Sequence, residues 1–161
     1  MKLDEAIYEA YQAHLNVQDK SGVPYIQHPL RVMRTIFEKN QEITYYNHSQ
    51  EVTAKGLLGD ILIVAVLHDV WEDTKHELKN LNKEQYEAMC AITRHIGANS
   101  GETYKEYIVR CCLNPIARVV KYYDLKDNMS KQKMEALEYN EAIGLMKRYQ
   151  WSIDYIKKEY G

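Results

Sequence analysis

"ILIVAVLHDVWED", residues 61–73, decides how this chain is read. An unbroken apolar run from Ile61 to Leu67 passes directly into His68, Asp69, Glu72 and Asp73. Continuous β-branched residues suit a buried strand as well as a buried helix, so the run alone is ambiguous. Its surroundings favour a helix. Leu3, Ala6, Ile7, Ala10, Ala13 and Val17 form one stripe at helical spacing. Leu30, Met33, Ile36 and Phe37 form another, with Pro29 in the first turn, where proline is tolerated. A helix from about 83 to 96 follows the N-cap residue Asn82 and stops at Gly97. Further helices carry Tyr104 to Cys111, Ile116 to Tyr123 and, in a long last helix, Met134 to Ile156. The expected fold is all-α: a single domain over residues 1–161, with residues 61–73 as the central helix and 39–59 as an irregular insert.

On such a helix His68 and Glu72 lie one turn apart, and so do Asp69 and Asp73. A histidine and three acids at the end of an apolar helix are costly to bury without a cation. They are either hydrated or gathered round a metal, with Glu72 and Asp73 placed to accept the proton of a nucleophile. "DKSGVPYIQHPLRV", residues 19–32, adds His28 immediately before Pro29, where extended backbone is favoured. "VVKYYDLKDNM", residues 119–129, sets Lys121, Asp124 and Asn128 along one helical face. Spacing does not choose between Asp124 and Asp127 as the acid that joins the others.

Composition bounds the rest. Acids (23) and bases (21) are interspersed, for a net charge of −2, which argues against a nucleic-acid-binding surface. No apolar run approaches the ~20 residues of a membrane span, and "MKLDEAIYEA" lacks a signal-peptide core. The three cysteines form no CxxC pair, and the chain is expected in the cytoplasm with reduced thiols.

In order along the chain, "AHLNVQDKSGVPYIQHP", "VAVLHDVWEDT" and "VVKYYDLKDN" resemble the three signature segments of the HD-domain metal-dependent phosphohydrolases. More narrowly they resemble the RelA/SpoT-type alarmone hydrolases, of the free-standing small kind. The resemblance implies an HD-domain helical bundle with a metal site at its centre and hydrolysis of the 3′-pyrophosphate of (p)ppGpp to GDP or GTP. The alternative is an HD-type phosphohydrolase acting on another nucleotide: a deoxynucleotide, a modified nucleotide or NADPH. It also implies His28, His68, Asp69 and Asp124 as metal ligands, Glu72 and Asp73 as the catalytic acidic pair, and Lys20, Ser21 and Asn128 as substrate contacts. Two imidazoles and two carboxylates suit Mn²⁺, with Fe²⁺ or Zn²⁺ as other candidates. The chain departs from the family at Asp19, where a basic residue packs on guanine, and at Tyr123-Asp124-Leu125, where Ala-Asp-Arg is usual. Tyr25 and Tyr123 are the candidates to replace that stacking surface. Arg31, Arg34, Arg94 and Lys126 are candidates for lining a phosphate cleft. His14, on the first apolar stripe, reads as structural.

Overall fold

The computed structural model describes residues 1–43, 51–94 and 101–161, and side chains within 1–39, 57–94 and 101–161. Among these residues every regular element is a helix; extended chain pairs in one isolated antiparallel bridge, Gln18 with Pro24. The helices are α1 (Leu3–Ala13), α2 (Gln27–Ile43), α3 (Glu51–Leu67), α4 (Val70–Asp73), α5 (Lys83–Ile92), α6 (Tyr104–Leu113), α7 (Pro115–Asn128), α8 (Lys131–Glu135) and α9 (Tyr139–Tyr160). No described helix is long and apolar enough to cross a membrane.

The run Ile61–Leu67 is helical and buried at every position. A helix that is apolar on all sides must be covered on all sides, and α3 packs against α1, α2, α5 and α7. The second axis of the bundle is α7, which lies against α2, α3, α5, α6 and α9. Its start is well specified. Pro115 occupies the first turn, and the Asn114 side chain accepts from the amides of Ile116 and Ala117, both at 3.0 Å. Asn82 caps α5 as the sequence predicts, in a reciprocal box with Gln85.

Several expectations are corrected. The central helix does not run on to Asp73. It stops at Leu67, His68 and Asp69 make a turn, and α4 restarts at Val70. The Ala65 carbonyl, which a continuous helix would commit to the Asp69 amide, is also engaged by His68 Nδ1 at 2.8 Å. His28 is not in extended backbone; it sits in the first turn of α2, and its amide donates to the Tyr25 carbonyl. The stretch read as irregular, 39–59, is helical at both ends, since α2 continues to Ile43 and α3 begins at Glu51. The remainder of that stretch lies outside the described residues. Helix α5 ends at Ile92, not near Gly97, because the Thr93 backbone turns extended and its hydroxyl takes the Met89 carbonyl. The long last helix is split, with a turn at Leu137 between α8 and α9. Val17 and Phe37, counted in the apolar stripes, are exposed; Val32 takes the core position beside Ile36.

Candidate functional site

Three distant parts of the chain meet at the end of α3. The first turn of α2 supplies His28, the α3–α4 turn supplies His68 and Asp69, and the last two turns of α7 supply Asp124, Asp127 and Asn128. One ligand atom from each of His28, His68 and Asp69 lies within 4.8 Å of the others. Asp124 Oδ1 lies 3.1 Å from His28 Nε2 and 3.5 Å from His68 Nε2. Asp69 Oδ2 lies 3.5 Å and 3.2 Å from the same two nitrogens. His28, His68 and Asp124 are 4%, 3% and 2% exposed, so water cannot disperse their charge. The structure thus brings all four expected ligands together.

The ring orientations decide whether a cation fits. His68 Nδ1 faces the Ala65 carbonyl, which can only accept, so the proton belongs on that nitrogen. Nε2 is then a bare lone pair, buried and without a hydrogen-bond partner among the described residues. His28 Nδ1 faces Asp127 Oδ2 at 2.7 Å, which again places the proton there and turns the Nε2 lone pair inward. Two lone pairs therefore face two carboxylates, and the arrangement requires a positive charge at its centre. In the absence of any other cation that charge is a proton. Burial alone would push the His68 imidazole down, but the Asp69 and Asp124 carboxylates outweigh it and hold the ring well above its ordinary value. His28 is raised in the same way, burial being outweighed by Asp124 and Asp127. Burial would raise Asp124, yet the Lys121 ammonium at 2.8 Å and the two imidazoles hold it well below the carboxylate range. Two imidazoles and two hard oxygens form a donor set suited to a first-row divalent ion.

Around the cluster sit groups that fix it. Asn128 Nδ2 donates to Asp124 Oδ1 at 2.6 Å. Arg31 binds Asp127 with its fork, Nε to Oδ1 at 2.9 Å and Nη2 to Oδ2 at 3.0 Å. The Tyr25 hydroxyl donates to Asp69 Oδ2 at 2.7 Å and lies 2.9 Å from Asp73 Oδ2. Burial and the neighbouring Asp69 and Asp73 charges push the Tyr25 phenol up, so it remains a donor.

The acidic pair separates. Asp73 lines a cavity of about 500 Å³ beside the cluster. Glu72 turns away and accepts the Arg94 amide at 3.1 Å. Both carboxyls are raised, chiefly by burial; for Asp73 the Asp69 charge adds to it.

Lys20, Ser21 and Asn128, the expected substrate contacts, all line that cavity. Two of them are engaged elsewhere. Lys20 Nζ pairs with Glu141 at 2.5 Å, and the Ser21 hydroxyl donates to Asp19 at 2.7 Å. Asp19 also accepts the Ser21 and Val23 amides, so the acid in place of the family's basic residue pins the turn whose Gly22 sits at φ +78°. Of the other basic candidates, Arg34 pairs with the exposed Glu38 and Lys126 lies over Tyr122, outside the cavity wall. Tyr123 lines a separate groove with Arg118 and Tyr160; the tyrosines facing the cavity are Tyr25 and Tyr149. His76 pairs with Glu9 at 2.5 Å, while His48 and His95 lie outside the described residues.

Sequence reading left Asp127 open, did not single out Lys133 and read His14 as structural. Asp127, which spacing left open beside Asp124, lies off the Lys121–Asp124–Asn128 face, and that is why it reaches the outer nitrogen of His28. Lys133, on the short helix α8, contacts His28, Asp127 and Asn128, and no periodicity announces it. His14 is buried in the cavity wall, tilted by 34° against Tyr25 with ring centroids 4.8 Å apart, and its Nε2 has no hydrogen-bond partner among the described residues. Its place on an apolar stripe, with basicity lowered by burial, is what a structural histidine also shows.

No family model matches the chain. It is 28% identical over 158 residues, 88% of its length, to a probable GTP pyrophosphokinase of Mycobacterium leprae. It is 25% identical over 137 residues, 80% of its length, to a GTP pyrophosphokinase of Streptomyces coelicolor. The chain spans 18% and 14% of those two proteins.

These names overturn the hydrolytic expectation. A pyrophosphokinase adds pyrophosphate to GTP, the reverse of removing it from (p)ppGpp. The assignment to HD-domain hydrolases of the small alarmone type falls with it, as do the 3′-pyrophosphohydrolase activity and the alternative of an HD-type phosphohydrolase for another nucleotide. The physical reason is that ligands and acids able to polarise a pyrophosphate do not specify the nucleophile. Water and a ribose hydroxyl both present an O–H to the same carboxylate.

Proposed function

We propose that this chain is a divalent-metal module that binds a guanine nucleotide through its phosphate groups, in a protein of the GTP pyrophosphokinase kind. The observation that carries the proposal is the pair of buried imidazole lone pairs, on His28 and His68, facing the carboxylates of Asp69 and Asp124 beside a 500 Å³ cavity. The names of the two relatives support guanine nucleotide and pyrophosphate as the ligand class. Three free thiols, two of them buried, agree with a reducing, cytoplasmic setting.

In this reading His28, His68, Asp69 and Asp124 hold Mn²⁺, Fe²⁺ or Zn²⁺. When bound, the ion supplies charge neutralisation and polarisation of a phosphate oxygen. The chain's own residues do the rest. Tyr25 holds Asp69 and Asp73 at a fixed separation. Asp73, raised by burial and open to the cavity, accepts a proton from an oxygen nucleophile, with Glu72 as the second acid of the pair. Asn128 orients Asp124 and faces the ligand, and Lys20 and Ser21 form the rim.

The test is equilibrium binding of GTP, guanosine 3′,5′-bisdiphosphate and ATP to the chain with Mn²⁺ and with chelator. The expected result is saturable binding of the guanine nucleotides that needs Mn²⁺, exceeds that of ATP and is lost in Asp69→Ala. Equal binding in chelator, or no preference for guanine, overturns the reading.

A further inference from the structure

Lys133 Nζ sits where the cluster and the cavity meet. It lies 3.0 Å from Asp127 Oδ2, 2.7 Å from Asn128 Oδ1 and 2.9 Å from His28 Nδ1, and its side chain lines the cavity. That third contact cannot be a hydrogen bond when His28 is a ligand. With Nε2 turned to the cluster, Nδ1 carries the proton and donates to Asp127, so two donors face each other. Among the described residues the ammonium then has two acceptors for three N–H groups.

Its ion-pair partner is also shared. Asp127 is already matched by the bidentate Arg31 guanidinium and receives the His28 N–H besides. The cavity's other lysine, Lys20, is spent on Glu141, while the acids in its wall, Asp19 and Asp73, hydrogen-bond the neutral Ser21 and Tyr25 hydroxyls and keep their charges. An ammonium whose carboxylate partner is shared with Arg31, with a spare donor and only 18% exposed, at the edge of a cavity is suited to a phosphate oxygen.

We propose that Lys133 is a substrate-binding residue of this chain: its third N–H takes a phosphate oxygen of the nucleotide in the cavity, the task that the family resemblance gives to Lys20. The inference rests on reading the cavity as a nucleotide site.

Calorimetric titration of the Mn²⁺-loaded chain with GTP and with inorganic pyrophosphate tests it, at low and at high salt. Lys133→Met should weaken both ligands about 10- to 100-fold, the loss of one charge-assisted hydrogen bond. Its Mn²⁺ content and melting temperature should stay as in the unmodified chain, its affinity should fall less steeply with salt, and Lys133→Arg should restore most of the binding. Lys20→Met should cost less than Lys133→Met. Binding by Lys133→Met equal to that of the unmodified chain overturns the inference and leaves the nucleotide reading standing. Lost Mn²⁺ or lowered stability, with unchanged affinity per loaded site, makes Lys133 a structural counter-ion and also overturns it. If the unmodified chain binds neither ligand, both readings fall.

Discussion

The Asp127 carboxylate lies 2.7 Å from His28 Nδ1, at the ring nitrogen that faces away from the cluster. This contact fixes the tautomer of a histidine whose other nitrogen lies 3.1 Å from Asp124. Groups that hold the outer nitrogen of a metal-binding histidine set both its orientation and its basicity, and their loss costs about 10- to 100-fold in metal affinity. Asp127→Ala should therefore weaken Mn²⁺ binding by that amount while circular dichroism stays helical. Titration followed by electron paramagnetic resonance measures it; an unchanged affinity would show that Asp127 serves only Arg31 and Lys133.

Lys121 and Asp124 form a buried ion pair at 2.8 Å, with the lysine 15% and the acid 3% exposed. Removing one member strands the other, which typically costs about 3–5 kcal/mol. Asn128 and the protonated imidazoles remain to Asp124, so Lys121→Met should sit at the low end, about 3 kcal/mol by denaturant unfolding in chelator. Mn²⁺ should recover part of the loss, since it supplies the missing positive charge. A variant as stable as the unmodified chain would mean that Asp124 is already compensated without Lys121.

Glu72 and Asp73 predict a pH signature. Burial raises both carboxyls above their unfolded values of about 4. The folded chain then holds these protons more tightly than the unfolded chain, so stability falls as pH rises from about 4 through the raised values, and the ionised pair is a burden at neutral pH. Glu72→Gln with Asp73→Asn keeps the acceptors for the Arg94 amide and the Tyr25 hydroxyl while removing both charges. Its melting temperature in chelator should exceed that of the unmodified chain at pH 7, and the gap should close toward pH 4. A gap of opposite sign would show that the pair stabilises the fold.

That His28, His68, Asp69 and Asp124 gather in one cluster was legible from the resemblance of three segments; locally, Pro29 marks His28 and the end of an apolar run marks His68 and Asp69, while spacing left Asp124 and Asp127 open. What depends on how helices cross was not. Asp127 is useful only because α2 lies against α7, and no spacing within α7 shows that. Lys133 stands on a five-residue helix, too short for a period to form. The turn at His68 and Asp69 is set by a side-chain contact to the Ala65 carbonyl, which an apolar pattern does not encode. The direction of the chemistry was also out of reach, because a carboxylate takes a proton from water or from a ribose hydroxyl alike.

The most direct test of the metal centre is a titration of the metal-free chain with Mn²⁺ followed by electron paramagnetic resonance, alongside His68→Ala and Asp69→Ala. One saturable site per chain, abolished in both variants and accompanied by a rise in melting temperature only in the unmodified chain, is the predicted outcome. Absence of saturable binding, or equal binding by the two variants, would contradict a cation held by His28, His68, Asp69 and Asp124.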